Sequence, residues 1–338
     1  MNNKLMKEVE FLITQNEIIN TSMETYDANI WSLKKLILLA RYIPIHLNIL
    51  TAKKNGEYKY CDSWFYIDLF SGPGANTITN KVKSIGSPII SILKGIRFVK
   101  KRNEFERFTK WFFIDLNRGF CNALAKRSAI ALKLTQKKCE KEYGKSINAS
   151  IEDIEILKGD CNTKIDNVLR EIEQHERCSI LVFIDPEGLK EIEWNTLKKL
   201  LEKKYVDVIY ILSTVGLKRG INEQILGKNL PPLTEKEKRK ILSRSYSSEE
   251  YVKIFAKYIL KELKRRRLFY TSLPIINEKK TEIYRIVWAS SSPGAAKAIK
   301  STLDMLEHVK NEDLISIIKV ISGEQTNLDR FCLKSKSK

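Results

Sequence analysis

The stretch Trp64-Phe65-Tyr66-Ile67-Asp68-Leu69-Phe70-Ser71-Gly72-Pro73-Gly74 decides the fold of this chain. It is an apolar run that ends in an acid and breaks into a glycine turn. A run of this length bounded by turn residues predicts a buried strand, from about Tyr60 to Asp68. A strand that delivers an acid and two glycines at its carboxyl end is how open α/β sheets build a ligand crevice.

The theme repeats downstream. Trp111–Asp115 predicts a second strand ending in an acid, and Asn117 starts a long helix. Ile151–Leu157 predicts a third strand, running into Gly159-Asp160. Ser179–Ile184 is a continuous apolar run, which places it at the centre of a sheet, buried on both faces. It ends in Asp185-Pro186-Glu187-Gly188. Val206–Leu212 predicts a fifth strand. Helical segments alternate with these runs, which implies βαβ units, a parallel sheet and right-handed crossovers. The pattern then changes: Leu268–Ile275 and Glu282–Ala289 read as an antiparallel hairpin joined by Asn277–Lys280.

The remaining segments frame this sheet. Residues 1–60 read as helical, with Leu33, Leu36, Ile37 and Ala40 on one face of a helix that should pack on the sheet or cover the crevice mouth. Lys53–Glu57 reads as a turn and 71–85 as a loop. Gly86-Ser87-Pro88 opens a helix, with Ser87 suited to the N-cap and Pro88 to the first turn. The organisation expected is an N-terminal helical extension (1–59), an α/β domain (60–310) with a helical insertion (221–267), and a C-terminal extension with a basic tail (311–338).

The net charge is +19, from 60 Lys and Arg against 41 Asp and Glu. Such an excess attracts polyanions, because neutralising phosphates releases counterions; the plain alternative is a basic bias of the whole proteome. The six cysteines are scattered, with no close pair suited to zinc, and read as reduced thiols. No apolar run approaches membrane-spanning length and the N-terminus has no signal-peptide core, so no membrane partner and a cytoplasmic location are expected.

The motifs Tyr-Ile-Asp-Leu-Phe-Ser-Gly-Pro-Gly (66–74), Gly-Ser-Pro (86–88), Phe-Ile-Asp (113–115), Gly-Asp (159–160), Phe-Ile-Asp-Pro-Glu-Gly (183–188) and Tyr-Arg-Ile-Val-Trp-Ala-Ser (284–290) together resemble the three-Cys-motif partner protein family. These are methyltransferase-like proteins of bacteria and archaea. The resemblance implies a Rossmann-like class I methyltransferase sheet of five parallel strands plus a C-terminal antiparallel hairpin, with S-adenosylmethionine as cofactor and a protein partner as one prospect. Glu187 stands where the family pattern expects an aromatic residue.

The residues agree with that cofactor. Gly72 and Gly74, with Phe70 beside them, would let backbone approach the donor's carboxypropyl and amino group, and Asp68 would hydrogen-bond there. Asp115 is placed to accept from both ribose hydroxyls and Asp160 from the adenine amino group. Singly, each acid has a plainer reading as a helix N-cap, and the glycines as a tight turn. A nicotinamide site fits less well: the third glycine is replaced by Thr77 and no helix begins until Ser87.

Asp185-Pro186-Glu187 is the catalytic candidate. Methyltransferases acting on base amino groups carry Asp/Asn-Pro-Pro-aromatic here: the first residue accepts from the amine and the aromatic stacks on the flipped base. Glu187-Gly188 replaces the Pro-aromatic half, so the stacking group must come from elsewhere; Trp194 and Tyr210 are near in sequence but read as core. Lys218 and Arg219, and the cluster Lys264, Arg265, Arg266 and Arg267, are candidate phosphate contacts, against a plain reading as solvated loop and helix end. The sequence thus points to a methyltransferase acting on RNA or DNA. The alternatives are a catalytically degenerate nucleic-acid-binding or partner protein of the same fold, and a methyltransferase of protein or small molecules.

Overall fold

A computed structural model describes residues 3–54, 57–58, 60–78, 82–215, 227–243, 247–262, 269–290 and 292–323. The main sheet has strands β1 (Ser63–Asp68), β2 (Lys110–Asp115), β3 (Ile154–Lys158), β4 (Cys178–Ile184), β5 (Val206–Ser213), β6 (Phe269–Ile276) and β7 (Glu282–Ser290). Their order is β3-β2-β1-β4-β5-β7-β6. All neighbours pair in parallel except β7, which is antiparallel to both β5 and β6. That order, with the seventh strand inserted antiparallel, is the class I methyltransferase sheet. β4 lies at its centre and is buried along its length, as its continuous apolar run requires.

Alternation along the strands divides the core in two. Phe65, Ile67, Phe112, Ile114, Ile180 and Val182 face the helices Cys161–Ile172, Trp194–Leu201 and Ser248–Glu262. Tyr66, Phe113, Leu181 and Phe183 face the other side. There they pack in one core with the N-terminal helices Asn3–Ile13 and Ser32–Leu50 and with the C-terminal helices Pro293–Glu307 and Asn311–Ile321. Helix Ser32–Leu50 buries Leu33, Leu36, Ile37, Leu38, Leu39 and Ala40, so it is enclosed nearly all round rather than along one stripe. At about 1.5–3 kcal/mol for each large apolar side chain, this helix is integral to the core.

Several local expectations need correction. The segment 71–85 holds two strands, Ala75–Ile78 and Lys83–Ile85, and residues 1–60 are not all helical, since Tyr26–Ala28 is a strand parallel to Ala75–Ile78. Isolated three- and four-residue strands carry no periodic signal; only their pairing makes them strands. Lys53–Lys54 and Glu57–Tyr58 pair antiparallel on either side of the predicted turn. β1 starts at Ser63, because Asp62 and Ser63 donate to the Arg177 carbonyl before the ladder begins. Ile151–Asp153 is a 3₁₀ turn capped by Ser150, so β3 starts at Ile154. Gly86, not Ser87, is the N-cap of helix Ser87–Lys94.

Candidate functional site

The chain runs from β1 outward to β3, then returns across the sheet to β4, so β1 and β4 are neighbours where the strand order reverses. Ligand crevices of open α/β sheets lie outside the carboxyl ends at such a point. β1 ends in Asp68, opposite Phe183 of β4, and Asp185 lies two residues beyond Phe183. Asp68 therefore points to the side of Phe183, the one covered by the N-terminal segment, and Asp185 meets Lys35 of that segment.

Backbone geometry shapes the cofactor half. Gly72 and Gly74 have φ of 60° and 79°, in the left-handed region that favours glycine. A Cβ on Gly74 would come within 2.9 Å of Leu124 and 3.1 Å of Ile89, whereas one on Gly72 would meet nothing within 4 Å. Gly74 is thus needed for packing, and Gly72 leaves its backbone bare towards open space. Gly86 donates its N–H to the Gly74 carbonyl at 2.8 Å, which joins the Gly-Ser-Pro motif to the glycine turn. Asp115 Oδ2 accepts the Gly72 N–H at 2.8 Å and Oδ1 accepts that of Asn117 at 2.8 Å. Asn117 caps helix Arg118–Tyr143, so Asp115 supports the turn rather than the helix. Asp160 does cap helix Cys161–Ile172, accepting from the Asn162 N–H at 2.9 Å. Next to Asp115, Leu116 is 68% exposed, an apolar side chain at the rim.

Asp68 is completely buried. Burial pushes its carboxyl up to about 7; a Ser87 hydrogen bond opposes this, and the Asp185 charge adds to it. Phe70, half-buried, donates its N–H towards Asp68 Oδ1 at 3.4 Å, and the Tyr66 hydroxyl lies 3.4 Å from Oδ2. Burial also holds the Asp115 carboxyl above its usual range.

The other half is built by residues far apart in sequence. Lys35, on helix Ser32–Leu50, forms an ion pair with Asp185; both side chains are largely buried. The Tyr26 hydroxyl donates to Glu187 Oε1 at 2.9 Å, and the Tyr26 ring meets Phe120 edge-on at 6.4 Å. Glu187 donates its N–H to Glu191 Oε2 at 2.8 Å. Asn162 Nδ2 holds the Glu191 carbonyl at 2.9 Å, and Asn229 Nδ2 holds the carbonyls of Lys190 and Ile192. The Tyr284 hydroxyl donates to the Trp31 carbonyl at 2.7 Å. Arg127 is fully buried and donates to the Thr21 hydroxyl and the carbonyls of Met23, Glu24 and Pro73. It fastens the N-terminal segment onto the glycine turn.

The structure therefore brings Asp68, Phe70, Gly72, Gly74, Asp115 and Asp160 to one sheet edge and Asp185, Pro186 and Glu187 to the adjoining strand end. Lys218 and Arg219, and Lys264, Arg265, Arg266 and Arg267, lie outside the described residues. Tyr210 is buried and Trp194 packs edge-on against Phe255, so both belong to the core. Burial pushes the thiols of Cys61 and Cys161 up to about 12, contrary to the needs of a nucleophile. Among the described residues no cluster is suited to a metal, and no helix is long and apolar enough to cross a membrane. The sequence reading missed Tyr26, Lys35 and Arg127. Arg127 did leave a signal: it sits between Leu124 and Ala131 on the apolar stripe of its helix.

No family model and no curated protein matches the chain. Among solved structures it is similar to Trm1 from Pyrococcus horikoshii with S-adenosyl-L-methionine, at 15% identity and a TM-score of 0.37; the match covers 80% of this chain but only 58% of Trm1. It is also similar to the O-methyltransferase TomG from Streptomyces achromogenes in complex with SAM, at 12% identity and a TM-score of 0.39 over 86% and 91% of the two chains. A third is the METTL16 methyltransferase domain, at 12% identity and a TM-score of 0.36 over 86% and 82%. Likenesses this distant carry no argument about reaction or substrate; the fold assignment rests on the strand order.

Proposed function

We propose that this chain is an S-adenosylmethionine-dependent methyltransferase acting on a nucleic-acid base. The observation that carries the cofactor reading is the bare Gly72 backbone, opening onto free space beside Asp68 and Asp115. A side chain there would fill the space that the donor's carboxypropyl group needs. Asp68, buried beneath the turn, acts on the donor's amino group by its charge, directly or through water, and Asp115, which already orients the turn, accepts from the ribose hydroxyls. Leu116 offers an apolar surface to the purine, and Asp160 faces its amino edge while capping its helix.

When bound, the cofactor supplies an electrophilic methyl group on a sulfonium. The chain's task is to present an acceptor to it in line. Asp185 accepts a hydrogen bond from the acceptor nitrogen and then its proton. The chain as a whole carries +19. Charge of that sign supports a polyanion held outside the crevice with one base turned in. The resemblance to the three-Cys-motif partner proteins belongs to the same proposal.

A second reading, a binding protein of this fold that has lost chemistry, is favoured by one observation: Lys35 and Tyr26 already engage both carboxylates of Asp-Pro-Glu-Gly. Calorimetry with S-adenosylmethionine and tritium transfer into tRNA, rRNA and DNA fractions separate the two. Saturable binding with label in one fraction supports the enzyme; absence of both overturns it.

A further inference from the structure

The amino acids that would complete an acceptor site are missing from the loop after β4 but present on the N-terminal segment. Lys35 places its ammonium on Asp185. The same ammonium lies 5.9 Å from the centre of the Tyr284 ring. Tyr26 closes the far side through Glu187. Both ends of the segment are fastened, by Arg127 at Thr21–Glu24 and by Tyr284 at Trp31. Lys35 itself is a compact charge on a flexible four-carbon stem.

We propose that the Lys35 ammonium occupies the seat of the acceptor's amino group on Asp185, and that a substrate enters by displacing it. The inference rests on the methyltransferase reading and names what that site takes. A carboxylate is an acceptor only, so the group that replaces Lys35 must donate N–H. A carbonyl in the same place would set its lone pairs against those of Asp185, and is rejected. The site therefore selects bases with an exocyclic amine over their carbonyl counterparts. Lys35 is a positioning residue, its ammonium held between Asp185 and the Tyr284 ring.

The test uses the full chain with S-adenosylhomocysteine bound and an amine-reactive acetylating reagent, with Lys35 followed by peptide mass spectrometry. The probes are unfractionated cellular nucleic acid and the same material deaminated with nitrous acid. The native probe should raise Lys35 acetylation severalfold, and the deaminated probe, bound equally through its phosphates, should not. Equal rises, or no rise with a probe that binds, would overturn the seat while leaving the methyltransferase reading intact. Failure of S-adenosylhomocysteine or of either probe to bind would remove the reading and this inference together. In turnover, Lys35→Gln should lower KM for the native probe severalfold with cofactor affinity unchanged; a raised KM would also overturn it.

Discussion

The two halves of the crevice are built on opposite plans. The proposed cofactor half is built from acids and glycines that each end a strand of the sheet, with Asp115 gripping the Gly72 N–H from the adjoining strand. The acceptor half is made by contacts across the chain: Lys35 with Asp185, and Tyr26 with Glu187. One half uses backbone that few sequences can replace, and the other uses side chains from a separate segment. In the proposed reading, donor recognition is set by the strand ends of the fold, whereas acceptor recognition depends on what the N-terminal segment brings.

Substitutions can break this contrast. Asp185→Ala should lower transfer by roughly a hundredfold or more, as loss of a proton acceptor does, with donor affinity unchanged by calorimetry. A parallel loss of donor affinity would show that the halves are not separate. Asp115→Ala should do the reverse, weakening S-adenosylmethionine by about 3 kcal/mol, roughly a hundredfold, because it removes charged hydrogen bonds and frees the turn. Arg127→Met should destabilise the fold by about 3 kcal/mol in denaturant titration, since it strands the carbonyls that join the two halves.

The pH dependence of donor binding sharpens the contrast on the cofactor side. Asp68 titrates near 7 in the free protein, well above an ordinary aspartate. A bound ammonium favours the ionised form, so its pKa falls on binding and a proton is released. Donor affinity should therefore rise about tenfold between pH 6 and 8, and Asp68→Asn should flatten the curve. The same shift works against stability: with the folded pKa raised, the contribution of Asp68 is present below an ordinary carboxylate pKa and is lost as pH rises through about 7. The smallest effect is expected from Tyr26→Phe, which removes one partly exposed hydrogen bond. Its cost should be about two- to fivefold in acceptor KM and nothing in donor affinity.

The positions of Asp68, Asp115, Asp160 and Asp185 at successive strand ends were legible because each strand carries its own apolar run and its own stop. The antiparallel hairpin was legible from the short Asn277–Lys280 connection. The role of Asp160 as helix cap was legible only as an alternative, since capping and ligand binding ask for the same residue type. Strand Tyr26–Ala28 was not legible at all: three residues show no period, and its partner Ala75–Ile78 lies far along the chain.

Sequence by itself determined the sheet, the direction of its strands and the edge where the acids gather, because hydrophobic period and turn chemistry act over a few residues. Only the tertiary structure decided what faces those acids. Lys35 reads as one of two lysines on an apolar helix, and Tyr26 as one residue of a segment that reads as helical. Packing of that helix against the sheet, and the Arg127 clamp on the leader, bring them to Asp185 and Glu187. Such long-range contacts depend on how whole elements pack, which no local pattern encodes.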